Sequence, residues 1–344
     1  MIDFRYHLVS IVAVFLALAI GIVVGATALR TDLANTLQHL SAVEAKANAA
    51  LYAHNGQLKD EIAADQAFGQ AAEGNLLRGL LVGQQVVLVL APGADSTTVD
   101  GVTSALQKSG AAVTGQVLLS QQFFDTGSAN EQVLKNAART TATSLAALGV
   151  ALPSTAAAAQ VSGQQAAAQV IAAAIVNKDG LATLTAKASQ QVLTEFGNAG
   201  FLQVKGSGSA SLGEQATMAV VVLPATVPPA KTSGPFNLAL ISLAEDLQQA
   251  SKGAVLAGSL KGSGPRSAID SVVSGSAGVT LMTVDNAETT IGQIIVAQAL
   301  NQLLTGSAKP SAYGVRQKTV PSPAPTASPT PSASPSPTSK KTRR

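Results

Sequence analysis

Few residues in this chain could do chemistry. There is no Cys, so disulfides and thiolate metal sites are excluded. The only imidazoles are His7, His39 and His54, and none has a second ligand three or four residues away. That spacing does not suit zinc. All three precede residue 55, so a His-based triad within the later body is impossible. A Ser–Lys dyad stays open, with nothing to mark one. Two glycine-containing loops follow apolar runs: Leu90–Asp95 (LAPGAD) and Ala257–Pro265 (AGSLKGSGP). A helix start after either could bind an anion. Neither matches G-x-G-x-x-G or the phosphate loop, and a plain turn followed by a helix cap accounts for both. The expectation is a chain that is not an enzyme, with no catalytic residue, no cofactor and no resident metal.

Composition supports that expectation. Apolar residues make up 47% of the 344 residues and charged residues only 12%, about half the usual share of roughly 25%. Four of the 22 basic residues are Lys340, Lys341, Arg343 and Arg344. Without them the balance is 18 basic against 19 acidic, so the body is near neutral. It has no electrostatic footprint for nucleic acid. The terminal cluster is a solvated tail or a contact for an anionic polymer or lipid.

The elements that carry these residues fall into four segments. Leu8 to Leu29 is 22 residues without a charge. At 1.5 Å per residue, a helix of that length crosses a hydrocarbon core of about 30 Å. Residues 1–30 are therefore expected to be a transmembrane anchor of a single-pass plasma membrane protein. With only a short flank before the span, the N-terminus stays inside and the bulk outside. Ala26-Thr27-Ala28 also fits a signal-peptide cleavage pattern. Cleavage there would place the protein in the outer membrane or release it. Gly21 and Gly25 form a G-x-x-x-G pair, which lets two membrane helices approach closely.

Residues 31–78 turn polar and lose proline. Leu33, Leu37, Leu40, Ala47, Leu51, Leu58 and Ile62 fall near one helical stripe, with Leu37, Leu51 and Leu58 on one heptad position. Glu44 and Asp65 share that position and weaken the seam. The segment reads as a helical stalk, either a coiled coil or a helix packed on its own domain. Leu37, Leu40, Leu51 and Leu58 are the candidate partner-binding residues, and Gly21 and Gly25 the candidate helix-pairing residues.

Residues 79–313 read as an extracytoplasmic α/β domain with a largely parallel sheet. Val86–Leu90 is a buried strand; Asp95 or Ser96 caps a helix that runs to about Ser109; Gly110 stops it; Ala111–Ser120 is the next strand. Ala254–Ala257, Ala268–Val273 and Val279–Val284 repeat the pattern, and Met218–Pro224 is a further strand. Helices are expected over 130–147, 157–177 and 236–251. Asp285 and Glu288 have capping-box spacing before a last apolar helix. Residues 314–344, rich in Pro, Ser and Thr, form an expected disordered tail.

The opening MIDFRYHLVSIVAVFLALAIGIVVGA, with LVLAPGAD and TVDNAETTIGQI, resembles the actinobacterial MctB family, also described as SteB. The resemblance runs from Met1 to about Tyr313. It implies one of two roles. One is a copper transport outer membrane protein, a component of copper efflux or tolerance. The other is a septal envelope protein with a coiled coil and an α/β domain. In that role it pairs with a SteA-like membrane protein and controls a peptidoglycan hydrolase in cell separation. It implies a homo- or hetero-oligomer at the membrane, with copper a possible cargo. No metal-ligand motif carries over. Cu(I) prefers thiolate and thioether donors, and this chain offers only Met1, Met218 and Met282, the last two in core-like strands where Met is a common filler. Partner binding through the stalk is the favoured mechanism, a true efflux channel component the first alternative, and an envelope enzyme using the glycine loops the second.

Overall fold

The structure, a computed structural model, describes residues 4–147, 161–178, 184–206, 215–307 and 309–321. The expected tail beyond Pro321, residues 157–160 of one expected helix and the side chain of Leu33 lie outside the described residues.

Helix α1 runs unbroken from Phe4 to Leu77, because no Pro interrupts residues 4–77. Tyr6–Ala26 within it is long and apolar enough to cross a membrane. The chain divides into two compact units, Met1–Ala67 and Phe68–Arg344, so the division falls inside α1. In the second unit the end of α1 is part of the core. Leu77 is fully buried, and Glu73 pairs with Lys108 at 2.7 Å.

The second unit is a three-layer α/β sandwich. Its strands are β1 (Gln85–Leu90), β2 (Ala112–Leu119), β3 (Leu202–Gly206), β4 (Met218–Val222), β5 (Ala254–Ala257), β6 (Met282–Val284) and β7 (Ala312–Tyr313). They form one sheet in the order β3-β2-β1-β4-β5-β6-β7. All neighbours run parallel except β2 and β3, so the sheet is largely parallel, as its continuous apolar strands imply. Alternate residues of β1 feed different cores. Val87 and Val89 pack with α3 (Ser128–Ala147), α4 (Gly163–Ile175), α5 (Ala186–Asn198), α6 (Ala230–Ala250) and α7 (Ala268–Val273). Val86 and Leu88 pack with α2 (Ser96–Lys108), α8 (Thr290–Thr305) and Leu77. That is the period of two expected of a strand buried on both faces.

Most local expectations hold. Asp95 caps α2 by accepting from the Thr98 amide at 3.0 Å, and the helix ends at Lys108, just before Gly110. The expected helices appear as α3, α4 and α6. The capping box does not. Thr289 caps α8, accepting from the Gly292 amide at 3.0 Å. Asp285 is drawn elsewhere, because it is buried where backbone amides from another segment need an acceptor.

One carboxyl stands apart from this order. Asp246 on α6 has an oxygen buried with no hydrogen-bond partner among the described residues. Burial, helped by the charge of Glu245, pushes its pKa up to about 7. The folded chain thus holds this proton more tightly than the unfolded one. Its contribution is most favourable below about pH 4, declines as pH rises to about 7, and is flat above. Asp246→Asn is expected to remove that slope. At pH 8 the variant should be more stable by about 2 kcal/mol, once the solvent-facing side of the carboxyl is discounted. Urea unfolding at pH 5 and pH 8 measures it.

Candidate functional site

Doubly wound sheets bind ligands outside the carboxyl ends of their strands, where the strand order reverses. Here the reversal lies between β1 and β4. The loops around it close on one another. Ala225 N donates to Gly93 O at 2.8 Å, Gly258 N to Val284 O at 2.8 Å, and Ala287 N to Gly258 O at 2.9 Å. The Ser259 hydroxyl donates to Ala225 O at 3.0 Å. Backbone groups of both glycine loops are therefore used within the protein.

The helix starts at this edge are filled as well. At α2 the Asp95 carboxylate takes the place an anion would need, accepting from the Thr98 amide and from the hydroxyls of Thr97 and Thr98. Those donors, that of Thr97 first, hold its pKa below the usual value. At α8 the Thr289 hydroxyl fills the same role. Beside the start of α6 a groove of about 400 Å³ remains, lined by Gln121, Gln122, Asp125, Lys231 and Thr232 among others.

The C-terminal residues close the other half of the edge. The buried Asp285 carboxylate accepts from the amides of Val315 at 2.8 Å and Arg316 at 2.9 Å. The Arg316 guanidinium donates to Leu260 O at 2.9 Å. The Leu260 amide donates to Glu288 at 2.9 Å. The chain can lie this close only because residue 314 is Gly, at φ +125°, where an added Cβ would overlap the Asp285 carboxylate. Burial pushes the Asp285 carboxyl above its ordinary value against the pull of these amides. Residues 315 and 316, expected within the tail, are thus tied to the domain. Asp285→Ala is expected to cost about 2 kcal/mol, because it leaves two amides without their acceptor. Urea unfolding would show it as a lower midpoint.

The expected binding residues lie in the other unit. Leu37, Leu40, Leu51 and Leu58 are all on α1 and are 40–59% exposed. At 100° per residue, on an ideal helix, they fall within an arc of about 60°. Among the described residues of the unit nothing packs on that arc. A Cβ added at Gly21 or Gly25 would meet nothing within 4 Å. The structure places these six residues on one continuous helix.

Among the described residues no three of His, Asp and Glu gather as a metal site. Met218 and Met282 are fully buried in the sheet, and the Met282 sulfur accepts from the Ser311 amide at 3.4 Å. Neither thioether faces an open cavity. Sequence reasoning missed the tie between Asp285 and residues 315–316. No local pattern in the sequence marks that tie.

A family model described as "Copper transport outer membrane protein, MctB" matches residues 1–323. Two similar curated proteins, from Mycobacterium tuberculosis and Mycobacterium bovis, are each named copper transporter MctB. Each is 30% identical over 131 residues, which is 38% of this chain and 42% of the relative. The matched stretch thus spans less than half the length of either relative.

Proposed function

The chain belongs to the MctB family, and from that premise we propose that it is a membrane-anchored, non-enzymatic envelope protein that works by binding partner proteins. Its N-terminus stays in the cytoplasm, Tyr6–Ala26 is retained as the anchor, and the remaining residues lie outside. The binding surface is the leucine face of α1, engaged as a coiled coil. Its partners, by the resemblance, are a SteA-like membrane protein and a peptidoglycan hydrolase, and its task is cell separation. Gly21 and Gly25 pair the anchor with a second membrane helix.

One observation carries this reading. Four leucines line one arc of a long helix in the unit that holds the span, and all are open to solvent. Burying a Leu side chain contributes about 1.5–3 kcal/mol. A row of four is a strong driving force for a partner helix and has no use in a solvated strut.

The relatives' name supports a second reading, that the protein serves copper efflux or tolerance with copper as cargo. The thioethers of Met218 and Met282 do not fit a copper relay, being closed inside the sheet. The third reading, an enzyme built on the glycine loops, is disfavoured by loops that bond to each other.

A deletion strain separates these readings when scored for both traits. Chained cells with normal copper content are expected. Raised cell-associated copper and copper sensitivity, with normal separation, would reverse the order of the first two readings.

A further inference from the structure

The leucine face of α1 carries charge of one sign. Residues 37, 44, 51, 58 and 65 share one heptad position and read Leu, Glu, Leu, Leu, Asp. Both acids lie on the continuous helix and are exposed. On an ideal helix Glu44 falls about 20° and Asp65 about 40° from the mean direction of the four leucines. The bases of this stretch point elsewhere, Lys59 at about 80° and Lys46 at about 140° from that direction. No Lys or Arg stands three or four residues from either acid, the spacing at which a helix neutralises its own charges. Among the described residues neither acid forms an ion pair.

That pattern discriminates between occupants of the face. A second copy of the chain is a poor fit. In a parallel pair in register, each acid would meet its own counterpart inside the seam, where residues of one heptad position face each other. An antiparallel pair fares no better, because the same face has no base to set against either acid. A carboxylate enclosed in an apolar seam without a base is strongly disfavoured. A helix with a base at each facing position turns both penalties into charge-assisted contacts. Glu44 and Asp65 are 21 residues apart, roughly 31 Å along the helix. That is far beyond the screening length of about 8 Å, so one base cannot serve both.

We propose, resting on the partner-binding reading above, that the occupant of this face is a helix of a different protein. That helix is apolar where it meets the leucines and carries two Lys or Arg residues three heptads apart, one opposite Glu44 and one opposite Asp65. The division of labour follows from the chemistry. The leucines supply affinity and fit many apolar helices. The two acids fix the register and reject self-pairing, so specificity comes from a repulsive element as well as an attractive one.

A photo-crosslinking residue at position 51 of the full chain, in cells that also hold a differently tagged copy, tests this. The expected adduct lacks the second tag. Glu44→Lys with Asp65→Lys should lower its yield at least tenfold, with an unchanged circular dichroism spectrum because both positions are exposed. In detergent micelles the purified chain with the same probe should give no self-adduct. Glu44→Leu with Asp65→Leu should give one, because like charges no longer meet. An adduct that carries the second tag, a yield that survives charge reversal, a self-adduct from the purified parent or none from the leucine variant would each overturn the proposal and leave the partner-binding reading standing. No adduct from the parent in cells would overturn that reading, and the proposal with it.

Discussion

Replacing Leu51 and Leu58 by Asp is expected to abolish complementation of the deletion strain while leaving the fold intact. Both side chains are open to solvent, at 59% and 40% exposure, and both belong to the first unit, Met1–Ala67. Exposed substitutions of this kind change stability by less than about 0.5 kcal/mol. In a seam the same positions are buried. Each change loses about 1.5–3 kcal/mol of apolar burial and places an unpaired carboxylate against a partner leucine. Glu44 already occupies the heptad position shared by Leu37, Leu51 and Leu58, so added acids also repel. A loss of at least 3 kcal/mol is more than a hundredfold in affinity. The measurements are rescue of cell separation and the thermal midpoint of the purified variant. Failed rescue with an unchanged midpoint is expected. Full rescue would remove the leucine face from the mechanism.

The second large effect concerns the fold. Gly292→Val is expected to destabilise the domain by about 4 kcal/mol, enough to prevent accumulation of folded protein. Gly292 is buried in the first turn of α8, where its amide donates to the Thr289 hydroxyl. A Cβ there would overlap the Asn286 carbonyl and lie 3.0 Å from the Ala287 Cα. Both obstacles are backbone, so no side-chain rotation relieves them. The loop after β6 would have to move, taking with it Asp285 and its bonds to Val315 and Arg316. Overpacking usually costs about 1–3 kcal/mol, and losing the attached hydrogen bonds adds to it. Circular dichroism and urea unfolding would register the change. A variant within 1 kcal/mol of the parent would show that the loop yields freely.

The strands that build the core were readable from their residues. VVLVL and MAVVV are continuous apolar runs bounded by polar or turn residues, and only a doubly covered sheet accommodates them. The cap at Asp95 was readable too, because its donor is three residues away. Strand β3 and helix α5 were not foreseen. LQVKG is short and only half apolar, and the helix is amphipathic but short, its buried apolar face carried by Val192, Leu193 and Phe196 alone. The cap of α8 was misread for a different reason. Asp285 and Glu288 have the spacing of a local motif, yet each serves a distant amide, at residues 315–316 and 260. No local pattern reveals a partner about thirty residues away. The leucine row on α1 was visible from heptad spacing alone. The occupant proposed for it is not legible there, because a seam's partner would be specified by another chain.

The most direct test of that seam places a photo-crosslinking residue at Leu37, Leu40, Leu51 and Leu58, one at a time, in living cells. Lys46, Ala53 and Asp60, on the opposite side of α1, serve as controls. Adducts from the four leucine positions and none from the controls are the expected result. Adducts of equal yield around the helix, or none from the leucines, would contradict the claim that this face is where the protein meets its partner.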